Sequence, residues 1–125
     1  VEIPAAGPGT GSAFLEIARR HGDYALAGIA ATVSVDASGA CSGARLVALS
    51  VGDQPALSAR LPDLLRGQRP DANLFEDAAA ALQSEIEPVG DIHASADFKR
   101  HLAGVLTRRA LAAAFERAAS EVGAR

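Results

Sequence analysis

Three histidines, His21, His93 and His101, and one cysteine, Cys41, are the obvious reactive side chains in this chain of 125 residues. No two of the histidines stand at the i, i+4 spacing with which one helix face holds zinc, and a single thiol adds at most one ligand. Asp91, His93 and Ser95 have the residue types of a nucleophilic triad. No Gly-x-Ser-x-Gly elbow surrounds Ser95, however, and side chains this close in sequence rarely hold triad geometry. Asp91, His93 and Asp97 have the types for metal or acid/base work, but their place at a helix start reads as turn and capping chemistry. Arg19-Arg20 and Arg108-Arg109 could bind an anion, although paired surface arginines are more often a solvated face or an ion pair. The glycines of Ala6-Gly7-Pro8-Gly9-Thr10-Gly11 lack the P-loop lysine and do not fit the dinucleotide fingerprint, so they read as a connector. One segment stands apart: Arg19-Arg20-His21-Gly22-Asp23-Tyr24-Ala25 is a charged turn directly before an apolar run. It offers fixed donors and an acceptor at a sheet edge, suited to a polar ligand or an interdomain contact.

The elements around these residues follow from periodicity. Ala25, Ala27, Ile29, Ala31, Val33 and Val35 alternate as one face of a strand, with Thr32 and Ser34 opposite. Asp36-Ala37-Ser38-Gly39 is turn chemistry, and Ala44 to Val51 is a second β-rich run, so the two make an antiparallel hairpin. Gly52-Asp53-Gln54-Pro55 ends it. Ser12 to His21 is ambiguous: Phe14, Ile17 and Ala18 suit a helix, while Leu15, Ile17 and the stem of Arg19 suit one strand face. Beyond Pro55 the period turns helical. Ser58 is a cap for a short helix with Pro62 in its first turn and Gly67 as its stop. Asp71 caps a second helix through Leu74, Ala78, Leu82 and Ile86, closed by Pro88. Ser95 caps the longest, with Phe98, Leu102, Val105, Leu106 and Ala113 as its buried stripe. Strands first and helices after, without alternation, predict an α+β fold.

Composition bounds the rest. Apolar residues at 49% and charged residues at 22% are ordinary for one globular domain. A net charge of -3 and 4% aromatics exclude the basic, stacking surface of a nucleic-acid binder. The longest apolar stretch, Ala25 to Val35, is too short to span a bilayer, and no basic and apolar leader opens the chain. One cysteine fits a reducing compartment, hence a cytoplasmic expectation. The start at Val1 without Met is expected to mark a piece of a longer chain.

Two motifs then carry a resemblance. Ser12-Ala13-Phe14-Leu15-Glu16-Ile17-Ala18-Arg19-Arg20-His21-Gly22-Asp23-Tyr24-Ala25, followed by Ala44-Arg45-Leu46-Val47-Ala48-Leu49, is one. The other runs from Asp91-Ile92-His93-Ala94-Ser95 through Phe98-Lys99-Arg100-His101-Leu102 to Leu111. Together they resemble the C-terminal domain of the FAD-binding medium subunit of molybdenum hydroxylases, the carbon monoxide dehydrogenase and xanthine dehydrogenase family. The resemblance implies a three-stranded antiparallel meander (about 12–20, 24–35 and 43–51) packed against three helices (about 59–66, 72–86 and 96–121). It therefore makes 12–20 a strand, with residues 1–11 a linker from a preceding FAD-binding domain and 12–125 one domain.

It also implies a division of labour. Substrate is hydroxylated at a molybdenum–pterin centre on a large subunit, and [2Fe–2S] clusters on a small subunit pass electrons to FAD on the medium subunit. FAD is held mainly by N-terminal domains of that subunit, with the C-terminal domain packed over it. Iron–sulfur clusters need sets of Cys ligands, and one Cys agrees with their lying elsewhere. The resemblance puts Leu15, Arg19, Arg20, Asp23 and Tyr24 nearest the flavin, Leu15 standing where xanthine dehydrogenases carry a Lys. Charge at such a turn tunes a flavin's potential or anchors the domain. Arg100, Arg108 and Arg109 are expected to tie the long helix to the sheet or a neighbouring domain. A stand-alone binding domain of the same fold without FAD is the alternative. An uncovered apolar patch is expected of a domain whose partners are missing.

Overall fold

The alternation of small and β-branched residues in the central run is what builds the sheet. Ala27, Ile29, Ala31, Val33 and Val35 are all buried along one side of it. The computed structural model describes residues 2, 7–20, 22 and 24–123. Strands β1 (Thr10–Ala18), β2 (Ala25–Val35), β3 (Cys41–Leu49) and β4 (Ala56–Leu57) form one antiparallel sheet in chain order. Helices α1 (Leu61–Leu65), α2 (Ala72–Glu85) and α3 (Ala96–Gly123) follow. Helix α3 lies against β1 and β2, α2 against α3, and α1 against β3, so all three cover the same side of the sheet.

The α+β order stands as expected, with a fourth strand the meander did not include. Ala56 and Leu57 pair with Ala48 and Val47 directly after Pro55. A two-residue edge strand carries no periodicity to read, and proline is tolerated beside such an edge. Thr10 and Gly11 belong to β1 rather than to a connector. Gly11 fits there because it lies against the backbone of α3, where a Cβ would collide with the Ala114 carbonyl and the Ala118 amide. The β2–β3 turn is held by Asp36, whose Oδ1 accepts from the amides of Ser38 (2.9 Å) and Ala40 (3.1 Å).

The core joins Ile29 and Leu46 of the sheet to Leu61, Leu65, Leu82 and Leu111 of the helices. Each such buried side chain contributes about 1.5–3 kcal/mol. The buried stripe of the long helix includes the expected Leu102 and Leu106, with Val105 and Ala113 half-buried, and departs from expectation at Phe98. Leu102, Leu106, Ala110, Leu111, Ala114, Phe115 and Ala118 are buried, while Phe98 is 48% exposed. Phe98 lies in the first turn, beyond the end of α2, and stacks on His101 instead. Arg100 and Arg108 tie α3 to α2, while Arg117 reaches the Ser12 carbonyl of β1. Arg108 pairs with Glu76 (3.3 Å), and Arg100 donates to the carbonyls of Gln83 (3.2 Å) and Ile86 (3.3 Å). Arg109 is exposed.

Candidate functional site

Because all the helices lie on one side, the other side of the sheet is left open. Strand register decides what stands on it. Phe14, Ala30, Val47 and Leu57 are partners across the four strands and form one apolar row. Glu16, Gly28 and Leu49 make the next row on one side, and Ser12, Thr32 and Arg45 the next on the other. Phe14 is 55% and Leu57 56% exposed. The hydroxyls of Ser12 and Thr32 lie 3.2 Å apart, and those of Thr10 and Ser34 3.0 Å. A groove of about 480 Å³ runs over this surface between Phe14, Arg45, Val47 and Arg117, floored by Ala30 and Thr32.

The turn between β1 and β2 lies at one end of that face. Arg19 is exposed, and its Nη1 donates to His93 Nδ1 at 2.7 Å, joining the turn to the segment before α3. A guanidinium can only donate, so Nδ1 is the acceptor here. Arg20 and Tyr24 are exposed beside it, and Gly22 takes a φ of 84° that suits a tight turn. Asp23 and His21 lie outside the described residues. Leu15 is not with them: it is half-buried on the helix side of β1, packed against the core. Its neighbour Phe14 is the side chain that faces outward. Alternation along β1 contains that signal, since grouping Leu15 with Ile17 leaves Phe14 on the opposite side.

Asp91, His93 and Ser95 do turn and capping work. The Asp91 carboxylate accepts from the amides of His93 (2.8 Å) and Ala94 (3.1 Å) and from Lys99 Nζ (2.9 Å). Ser95 Oγ accepts from the Phe98 amide at 3.1 Å. Among the described residues no group of three or more His, Cys, Asp or Glu is placed to hold a metal. Cys41 is buried, and burial pushes its thiol up, away from the reactive thiolate. What the described residues offer is a surface to cover something, with a charged turn at its end.

Residues 12–114 match the family of CO dehydrogenase flavoprotein C-terminal domains. The chain belongs to that family. It is 34% identical over 118 residues to the 6-hydroxypseudooxynicotine dehydrogenase complex subunit alpha of Paenarthrobacter nicotinovorans, covering 94% of this chain and 40% of that one. It is 30% identical to the carbon monoxide dehydrogenase medium chain of Afipia carboxidovorans, covering 94% of this chain and 41% of that one. The fold superposes on carbon monoxide dehydrogenase from Hydrogenophaga pseudoflava with a TM-score of 0.86 at 31% identity, over 92% of this chain and 40% of that chain. Quinoline 2-oxidoreductase from Pseudomonas putida 86 gives 0.81 at 33%, over 92% and 39%. The chain thus spans about two fifths of the length of these relatives. Among the described residues no helix is long and apolar enough to cross a membrane.

Proposed function

We propose that this chain is the C-terminal domain of the FAD-binding subunit of a molybdenum-containing dehydrogenase, and that its open sheet face covers the flavin side of that subunit. In this assignment it is one part of a cytoplasmic oxidoreductase with a large molybdopterin subunit and a small [2Fe–2S] subunit, and is not catalytic alone. The observation that carries it is the apolar row Phe14–Ala30–Val47–Leu57, which crosses all four strands without a cover among the described residues. A solvated antiparallel face carries polar residues, as this one does at Ser12, Glu16, Thr32 and Arg45, but the row between them is apolar. Family membership then says what kind of body belongs over it.

The residues fit a cover for FAD and do not make a complete binding site. The groove is open, and among the described residues no glycine-rich loop of a phosphate cradle lines it. Phe14 stands beside the small side chain of Ala30 and near the bare backbone of Gly28, a flat surface of the kind a planar ring system packs against. Leu15, packed behind β1, keeps Phe14 turned outward. Arg19, Arg20 and Tyr24 stand at the end of that surface, and their charge, with that of Asp23 next to them in sequence, sets the field at the cofactor or anchors the neighbouring domains. FAD, when bound, relays electrons arriving through the iron–sulfur clusters to an external acceptor. This chain excludes water from one side of it and helps hold the subunits together.

The test is to purify the full-length subunit and record its visible spectrum and partners. Flavin absorbance, with co-purifying iron–sulfur and molybdenum subunits, is the expected result. Phe14→Asp is then expected to lower flavin content several-fold without unfolding the domain, because Phe14 is already half exposed. A colourless subunit without partners overturns the assignment.

A further inference from the structure

An apolar cover does not account for Arg45. It stands exposed on the open face, in register with Thr32 and, beyond that, Ser12. Among the described residues no hydrogen bond or ion pair engages its guanidinium. Arg117 lies beside it, reaching round the β1 edge to donate to the Ser12 carbonyl, and both arginines line the groove with Phe14 and Val47. The acid on this face is Glu16, level with Leu49 of β3, so four residues along the strand separate its row from that of Arg45. At the rise of a strand that is roughly 13 Å, too far to pair. The face is therefore positive at this end, although the whole chain carries -3. A guanidinium covered without an anion is strongly unfavourable. Whatever covers the groove must bring one.

We infer that the covering body is the rest of the same subunit, which sets a carboxylate against Arg45, with the hydroxyls of Thr32 and Ser12 alongside. This rests on the assignment to the C-terminal domain of a flavin-binding subunit. The occupant follows from tethering: this chain is two fifths of its relatives' length, and the family description places it at the C-terminal end of a flavoprotein. In those relatives the remaining three fifths belong to the same polypeptide, at an effective concentration no free partner matches. An Arg–carboxylate pair across this contact fixes its register, which the flat row of Phe14, Val47 and Leu57 cannot do alone.

The experiment uses the full-length subunit with a reporter thiol, Leu57→Cys, on the same face, labelled by a maleimide and read by mass spectrometry of that peptide. Cys41 is buried and adds little background nearby. Labelling of the reporter alone is expected to be slow. Adding Arg45→Glu is expected to speed it at least about tenfold, as loss of a desolvated charge pair does, and Arg45→Gln to a lesser degree. Both effects are expected with and without flavin. Arg45 has no partner among the described residues, so the unfolding midpoint is expected to stay at the parent value. Should Arg45→Glu misfold, the Gln variant carries the same comparison. Unchanged labelling in both variants overturns the inference, as does a reporter that labels freely in the parent. Acceleration confined to the flavin-loaded form overturns it in favour of a cofactor phosphate, and protection lost on dilution whatever stands at residue 45 overturns it in favour of a second copy. The visible spectrum tests the underlying assignment separately: a subunit without flavin defeats that, whatever the labelling shows.

Discussion

Asp91 holds three groups at once, and its acidity records them. The Lys99 ammonium, then the amides of His93 and Ala94, keep its carboxyl at about 2 against an ordinary 3.8. The folded value lies below the unfolded one, so the stabilisation is complete above about pH 4 and is lost as pH falls through 2. Asp91→Asn is therefore expected to lower the unfolding midpoint at neutral pH and to shrink that difference from the parent as pH drops from 4 to 2. Thermal melts of the two proteins across that range check it, and parallel curves would show that the carboxylate does nothing. The loss at neutral pH arises because Lys99, 8% exposed, would keep only the Val89 carbonyl (3.0 Å). Asp91, His93 and Ser95 are legible in the sequence as turn and cap residues. Lys99 is not, because its role exists only once the segment before α3 folds back over the helix's first turn. Arg45 is hidden for a similar reason: a charged residue inside a β-rich run looks like ordinary surface until register shows that it stands beside an apolar row.

At the scale of elements, the helix caps were visible where the cap is local and invisible where it is not. Asp71 Oδ1 accepts from the Leu74 amide at 2.7 Å, as its place before an apolar-periodic run suggests. Helix α1 is different. Ser58 Oγ accepts from the Leu61 amide (3.2 Å) but itself donates to Glu85 at the far end of α2 (2.9 Å). The same Glu85 carboxylate takes the amides of Ala59 (2.9 Å) and Arg60 (3.3 Å). A five-residue helix is too short to persist alone, so α2 supplies the anion at its positive end. Glu85→Ala is expected to cost about 0.5–2 kcal/mol, the range for losing a helix cap, in denaturant unfolding. Gly11→Ala is a harsher change, because backbone rather than a flexible side chain blocks the added methyl. Overpacking of that kind costs about 1–3 kcal/mol. A neutral result in the same assay would mean that β1 slides freely on α3, contrary to the close approach of their backbones. The connector expected over 1–11 ends short of Gly11 for this reason: a glycine chosen for close packing looks, in sequence, like one chosen for flexibility.

For the molecule as a whole, the decisive asymmetry among the described residues is that one side of the sheet has three helices and the other has none. The sequence contained the alternation that produces both faces, but the small side chains on the outer face of β2 left open whether that face meets water or another body. Contiguous exposed apolar surface on a monomer usually marks an interface. The 125-residue domain separated from the rest of its subunit is therefore expected to self-associate through the open face, increasingly so with concentration. Sedimentation velocity over a hundredfold concentration range, about 1–100 μM, would detect it, since weak contacts of this size fall in the micromolar range. The double variant Phe14→Ser with Leu57→Ser is expected to stay monomeric, because it interrupts the row at both of its exposed ends while leaving the buried face untouched. If the parent domain is monomeric throughout, the open face tolerates water and the need for a cover disappears. If the double variant associates as strongly as the parent, the sticky surface lies elsewhere. The exposed side chains of Val89, Ile92 and Phe98 before and at the start of α3 would then be the surface to alter next.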